Sequence, residues 1–593
     1  MNPKSIFRSC LEITAGVLLL SACNNPSTTS TTSDTSSPVV LSAVSHLPQD
    51  VYPICTISVD SLNAWFLSGK ATENGAVSPA NSVEFPHRDN CDFYQWAERM
   101  FLWVTSPAPA QYGFNGRVLE SPIFYTVVTD SLGGLQLIQN GPGQIFSGVS
   151  ALRKSGPNRL PIFADKSGHL FEVQFHKPGE KVLVKNQAGQ VIQLGPVQKA
   201  ANGPTLLMDK AGKPIENFTF VTNLVHPERV LHVFNTATGT VVFDNNGHEV
   251  DTELDQATGD ALMAHDGSLV YYITMVNDMY AFFRTAVLKK YMPGNAFPTT
   301  AGARDSIINF AHRLGYPLPA DPNALAIEIK SSWVLADKLR DSANYVTVDA
   351  MVPDYDKVND STWIPVAKKK VRLALVGIHI VGGASHHPEM IWATFEHVGN
   401  TPDSAYQYLA GNGQTTTVPS DTGRWLFSSD AGAPFNRSHI RVSKRGDTLK
   451  APTGYTITAS NTLREFPFGV AFGTIPNQQD TSASASNSEV IGMNNAVINN
   501  IPGNDLRKNY HLIGATWTNG GAPPTGNVYT YPTDTIPGVS IGTSVLANST
   551  METYFQQTYF SCFTCHSGKN QLLPDTISHI FRHIHPLSPI PGK

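Results

Sequence analysis

Charge is scarce in this chain, and so is any apolar run long enough to matter to a bilayer. Only 15% of the 593 residues are Asp, Glu, Lys or Arg, and the formal net charge is −5. No basic patch stands out, which argues against nucleic acid as a partner. The apolar stretch Leu11 to Leu20 falls short of the roughly 20 residues that a spanning helix needs. Cysteine is sparse too. There are six, with one C-x-x-C pair and no second one to complete a four-cysteine zinc cage. What is plentiful is glycine and proline, 46 and 41 residues. Low charge with many chain-turning residues predicts a mainly β protein with interspersed α-helices, a β-rich α+β fold rather than a helical bundle.

At the start, Lys4 and Arg8 precede the short apolar run, the pattern of a secretory signal. The run ends in Leu20-Ser21-Ala22-Cys23, which resembles the lipobox of bacterial lipoproteins, where cleavage precedes a cysteine that is then acylated. The expectation is a signal peptide over 1–22, lipid on Cys23, and a disordered tether over 23–45. From Asn24 to Pro38 the chain is almost entirely Asn, Ser, Thr and Pro, which cannot bury enough apolar surface to offset ordering entropy. By resemblance to lipoproteins of enteric bacteria, Asn rather than Asp at position 24 implies the outer rather than the inner membrane. The chain is thus expected in the periplasm or at the cell surface, held to a membrane by its lipid. Residues 1–22 hold two of the 42 basic and one of the 47 acidic residues, leaving 40 against 46.

Of the four other cysteines beyond the signal, Cys55 and Cys91 are expected to pair, since an oxidising compartment favours a disulfide. Closing a loop of that length contributes about 3–4 kcal/mol in the chain-entropy model; two buried thiols are the alternative. The last pair lies in Cys562-Phe563-Thr564-Cys565-His566, the C-x-x-C-H signature of c-type haem attachment. Thiols three positions apart reach the two vinyl groups on one porphyrin edge, and the following imidazole is delivered to the iron as an axial ligand. One covalent haem c is expected, with thioethers from Cys562 and Cys565 and His566 as proximal ligand. A thioredoxin-type redox pair is the competing reading.

The second axial ligand is less determined. Only 27 residues follow His566 and none is Met, which excludes the small cytochrome with a downstream methionine. The stretch Gly503 to Gly542 is too rich in Gly, Pro, Thr and Asn for a four-helix bundle. The haem must therefore lean on a large body, taken as 46–500, with 501–593 as the haem-binding region. Ser549-Thr550-Met551-Glu552 has the form of a capping box, predicting a helix through Tyr554, Phe555 and Thr558 toward Cys562. Leu573 to His583 predicts a second short helix with His579 and His583 on one face. Thirteen steps separate His566 from His579, about 45 Å of extended chain, ample to pass around a porphyrin. His579 is the preferred distal ligand and Met551 the runner-up, with His583, His585, a histidine of the body or an open position as further options.

Within the body, 158–275 repeats an apolar pair, a polar turn with Gly, and another apolar pair, at Ile162-Phe163-Ala164-Asp165-Lys166-Ser167-Gly168 and around Gly189, Gly212, Gly247 and Gly267. This predicts a β-hairpin meander. Val371 to Val381 and Met390 to Val398 read as strands of one hairpin. Period-two alternation sets Met390, Trp392, Thr394 and Glu396 on one face and Ile391, Ala393, Phe395 and His397 on the other. With His379, His386, His387 and Glu389, the hairpin carries four His and two Glu, enough for a metal site, a haem-facing base or a redox conduit through Trp392, or simply for a buried strand pair with satisfied polar groups. Cys91 to Val104 has the apolar stripe of a helix packed on a core.

Three stretches together resemble a family of large bacterial exported proteins labelled cytochrome c family protein. They are Cys91-Asp92-Phe93-Tyr94, the run from His387 to His397, and the ending with Met551-Glu552-Thr553, Ser561 through His566, and Ser578-His579-Ile580-Phe581. The likeness spans most of the chain beyond the signal. It implies haem binding and export, and its transferable chemistry falls on Cys562, Cys565 and His566. Three functions compete on this reading. One is an electron-transfer cytochrome that docks a redox partner protein. The second is a peroxidase-like or oxygenase-like oxidoreductase using an open iron or the His386/His387/Glu389 hairpin. The third is a surface binding protein with a structural haem.

Overall fold

The computed structural model describes residues 47–590 except 131–133, 151–157, 159, 165–169, 178, 200–204, 225, 237–238, 251–260, 429–434, 438–439, 443–447, 452–453, 470–482, 526–535, 544, 555, 557–560 and 569–570. Cys23, the expected signal and tether, and the Asp165–Gly168 turn lie outside the described residues.

The fold is mainly β with a few helices, the β-rich α+β class that composition pointed to. At its centre twelve strands, among the described residues, join in one open sheet. Those that matter here are β1 (Phe124–Thr129), β2 (Leu135–Gln139), β3 (Tyr271–Asn277), β4 (Ile327–Leu335), β5 (Thr347–Asn359), β6 (Thr362–Ala384), β7 (His387–His397), β8 (Tyr510–Thr518) and β9 (Ser540–Gly542). They run in the order β2-β1-β3-β4-β6-β7-β8-β9, each antiparallel to its neighbour. β5 pairs along the first half of β6. Since β8 and β9 finish this sheet, position 500 is no structural boundary: the body is completed by chain that follows it.

Two four-stranded satellite sheets occupy most of the region expected to be a meander. The turns at Gly189, Gly212, Gly247 and Gly267 are tight, each glycine near φ +80°, a backbone conformation that favours glycine. The connectivity is more complex than a meander. Strand Leu170–His176 pairs in parallel with Val230–Thr236, and parallel neighbours need a long crossover. Here the second satellite sheet is that crossover. Tyr271–Asn277, the last strand of the region, belongs to the central sheet instead.

Three helices frame the sheet: α1 (Asn90–Thr105), α2 (Asp278–Leu288) and α3 (Ala483–Ile498). Asp89 caps α1 by accepting from the Cys91 and Asp92 amides, so the helix starts where the apolar stripe begins. Cys55 and Cys91 are joined as a disulfide, Cα–Cα 5.2 Å, fastening the preceding segment to the first turn of α1. α1 and α3 share the largest apolar cluster with one face of β6, β7 and β8. Phe101 of α1 stacks on Phe395 of β7, ring centroids 4.3 Å apart. The tail packs with α2 and residues of the sheet in a second cluster that includes Val381, Met390, Ile577 and Phe581. Among the described residues no helix is long and apolar enough to cross a bilayer.

Candidate functional site

Because neighbouring side chains in a strand point to opposite sides, β6 and β7 present two unlike faces. Ile378, Ile380, Ile391, Ala393 and Phe395 enter the apolar cluster shared with α1. His379, Trp392, Thr394 and Glu396 face the other way, as the alternation predicts. Register aligns Lys330, His379 and Thr394 across β4, β6 and β7, with Glu328, Val381 and Trp392 beside them and Ser332, Gly377 and Glu396 on the other flank.

The pleat also disperses the histidines of the hairpin. His387 Nδ1 lies 2.8 Å from Glu389 Oε1, which also accepts the Thr518 amide at 3.1 Å. Both side chains are buried, and the His387 ring meets Phe93 of α1 edge-on. His397 lies face-on against Tyr345 at 3.7 Å, where burial and then His511 lower its pKa to about 3. His386 is exposed in the turn, near His87. His379, His386, His387 and His397 therefore do not converge on one point, because the alternation sends them to different sides of the sheet and its turn. No group of three or more His, Cys, Asp or Glu among the described residues is arranged to hold a metal ion by itself.

Over the polar face lies the irregular segment Asn548–Thr553. It comes so close that a Cβ on Gly377 would sit 2.6 Å from Thr550 Oγ1 and 2.8 Å from Asn548 Oδ1, so this position needs glycine. Over 549–554 the predicted helix from Ser549 is turn instead, and its expected continuation through Phe555 and Thr558 lies outside the described residues. Glu396, buried in the sheet, takes the Ser549 amide at 2.7 Å and the Ser549 hydroxyl, so Ser549 cannot cap. Asn548 takes that role: its Oδ1 accepts the Thr550 amide, its carbonyl accepts the Met551 and Glu552 amides, and Glu552 Oε2 returns to its N–H at 3.1 Å. The same Glu552 oxygen lies 2.8 Å from His379 Nε2.

The C-x-x-C-H motif follows on a one-turn helix, α4 (Cys562–Cys565), whose start is held by the Ser561 amide donating to Thr564 Oγ1 at 3.0 Å. Arg229, in the short turn Pro227–Arg229 that leads into a satellite strand, donates to the Thr564 carbonyl at 3.3 Å. Cys562 and Cys565 stand three apart on one turn and are not in a disulfide. Burial, then the Glu552 carboxylate and the Cys565 thiol, push the Cys562 thiol well up from its ordinary value. That is opposite to a thioredoxin-type pair, whose nucleophile depends on a lowered thiol pKa.

His566 is held more firmly. Its Nδ1 lies 2.8 Å from the Ile577 carbonyl, and a carbonyl only accepts, so Nδ1 carries the proton and Nε2 the lone pair. Metal-ligating imidazoles are oriented in this way. Burial, then His579 and Lys330, keep the ring neutral. Trp392 lies 4.3 Å from the His566 ring centroid, and Phe563 lies 5.9 Å from Trp392. Unlinked thiols on one turn, a neutral imidazole with one nitrogen tied back, and aromatic walls fit a covalently bound haem: Cys562 and Cys565 would hold it and His566 would ligate its iron.

The expected distal ligands sit differently. The predicted tail helix is only α5 (Pro574–Ile577). Ser578 ends it in extended conformation because its hydroxyl reaches Glu328 at 2.5 Å and Tyr280 at 2.8 Å. His579 and His583 consequently share no helical face. His579 instead stacks on His566, centroids 4.2 Å and planes 16° apart, with its Nε2 3.0 Å from the Cys565 carbonyl. Met551 is buried among Tyr272, Val334, Val376 and Leu426. His583 is exposed, and exposed His585 pairs with Asp130 at 3.1 Å.

Lys330 and the His379–Glu552 pairing escaped the reading of the sequence. A signal was present: Glu328, Lys330 and Ser332 alternate with Ile327 and Ile329 in Ile327–Leu335, which marks one face of that strand as polar. No protein-family model matches this chain, nor does any curated protein or solved structure.

Proposed function

We propose that this chain is an extracytoplasmic monohaem c-type cytochrome, anchored to a membrane through lipid on Cys23, that exchanges single electrons with a redox partner protein. The observation that carries this reading is the held imidazole of His566, Nδ1 on the Ile577 carbonyl, one residue beyond two unlinked cysteines on a single turn. The haem would supply a reversible one-electron couple. The protein contributes position and environment. Glu328 and Tyr280 fix Ser578, which ends α5 where the Ile577 carbonyl can meet His566. Arg284 adds to this by donating to the Arg582 and Ile584 carbonyls at 2.8 and 3.2 Å over the Phe581 ring. Cys562, Cys565 and His566 keep part of their surface exposed, which leaves an edge open to a docking partner. The His387–Glu389 pair lies on the α1 side of the sheet, away from the motif, and lends no support to an oxidoreductase that uses it as a base.

The test is intact-mass spectrometry of protein matured in a strain competent for cytochrome biogenesis. The expected result is the added mass of one haem, lost in the Cys562→Ala, Cys565→Ala double variant. Unmodified wild-type mass would falsify this reading.

A further inference from the structure

We propose that His379, a residue of the central sheet, is the second protein ligand of the haem iron. The inference rests on the haem reading above and adds the identity of the distal side.

Four observations meet on this residue. It lies on the face of β6 that looks toward the motif, in register between Lys330 of β4 and Thr394 of β7. Trp392, its diagonal neighbour on β7, touches the His566 ring at 4.3 Å; diagonal partners in a sheet stand about 7–8 Å apart, so His379 is within a side chain's reach of the same space. Its strand neighbours Ile378 and Ile380 are 1% and 0% exposed, whereas the His379 side chain keeps 16% of its surface and its partner Glu552 27%. The pair is thus partly open to solvent, unlike the residues that flank His379 on its strand.

The fourth observation is chemical. Glu552 accepts from His379 Nε2 at 2.8 Å, so in the neutral ring the lone pair is on Nδ1, which has no hydrogen-bond partner among the described residues. A carboxylate behind an imidazole is the support that orients a metal-ligating histidine and raises its basicity. Glu552 itself is fixed from behind by the Asn548 amide. The two ligands then have matching supports: His566 is tied to a backbone carbonyl of the tail and His379 to a carboxylate anchored on the sheet. Neither of the two ligands expected from sequence is disposed to compete, since His579 is stacked on His566 and Met551 is packed in an apolar cluster.

The experiment reads spin state rather than activity. Haem-loaded wild type, His379→Gly, His379→Met and His579→Ala, each verified by intact mass, are compared by visible and electron paramagnetic resonance spectroscopy of the ferric form. The expected results are low-spin iron in wild type and His579→Ala, and loss of the low-spin signal in His379→Gly with recovery on adding imidazole. In His379→Met the iron should remain low-spin but with a changed spectrum, and redox titration should give a raised potential, as methionine ligation brings. If His379→Gly does not mature, the methionine variant decides. High-spin wild type, an unchanged low-spin spectrum in either His379 variant, or a low-spin signal lost in His579→Ala would each overturn the assignment while leaving the haem reading intact. A wild type without haem mass overturns both.

Discussion

The two faces of strands β6 and β7 share one backbone and solve burial in opposite ways. Toward α1 the residues are Ile378, Ile380, Ile391, Ala393 and Phe395, and this side is held by apolar contact, worth about 25 cal/mol per Å2 removed from water. Of its ionisable members on β7, His387 and Glu389 pair with each other and His397 is kept neutral by burial. Toward the C-terminal segment the same strands bury Thr394 and Glu396, and here buried carboxylates are met by a buried cation. Arg464 donates to Glu396 at 2.8 Å and to Asp403, and all three are buried. The difference shows what an irregular segment needs in order to lie on a sheet. Asn548–Thr553 lacks a ladder to satisfy its backbone, so Glu396, Asn548 and Glu552 supply acceptors that a helix or strand would have provided. An apolar face could hold α1, but it could not hold this segment.

That contrast predicts the largest effect at Arg464. Replacing it by Met leaves two carboxylates in the core without a counter-charge, and breaking a buried pair in this way costs about 3–5 kcal/mol. Asp403, which burial already raises to about 6 despite Arg464, would be driven further toward its neutral form. Chemical denaturation of Arg464→Met measures the loss, and a second substitution, Glu396→Gln, should recover part of it. A cost below about 1 kcal/mol, the level of an exposed pair, would mean that the polar face does not depend on pairing.

A smaller effect sharpens the other side of the comparison. Since the folded-state pKa of His397 lies near 3 against an ordinary value of 6.5, the unfolded chain binds a proton that the folded chain refuses. Its contribution to stability is complete above about pH 6.5 and is lost as pH falls from there toward 3, by up to about 1.4 kcal/mol per pH unit. Denaturation of wild type and His397→Gln at about pH 7.5 and about pH 5 compares the slopes, and the variant should lose less on acidification. Equal losses would mean that this face tolerates the charge.

How much of this was legible depends on whether a residue's partner is near in sequence. The class of fold, the α1 helix and the alternation along β7 all follow from composition and local pattern, and the structure has them; the Cys55–Cys91 link, 36 residues apart, was legible only because few cysteines were left to pair. The helices expected from Ser549 and from Leu573 were cut short by carboxylates far away in the chain: one claimed the serine read as a local cap, the other a serine in the middle of the expected tail helix. Glu396 took Ser549, and Glu328 took Ser578. The stacking of His579 and the pairing of His379 with Glu552 are likewise consequences of sheet register, which the sequence of either strand alone does not contain. The satellite region misled in the same way, since its turns were visible but the parallel pairing of Leu170–His176 with Val230–Thr236 was not.

The same point makes the smallest prediction the most specific. If Ser549 were a helix cap, Ser549→Ala would act through the local turn and its effect would be independent of Glu396. In the structure its hydroxyl serves Glu396, which still has Arg464 and the Ser549 amide when the hydroxyl is removed. The loss should therefore be about 1 kcal/mol, one hydrogen bond to a group that keeps other partners, and it should disappear in a Glu396→Gln background. A double-mutant cycle reads this directly, because residues in contact couple while independent ones add. Additive losses would show that Ser549 acts within its own turn after all, and that the carboxylate of the sheet is not what shapes the approach to the motif.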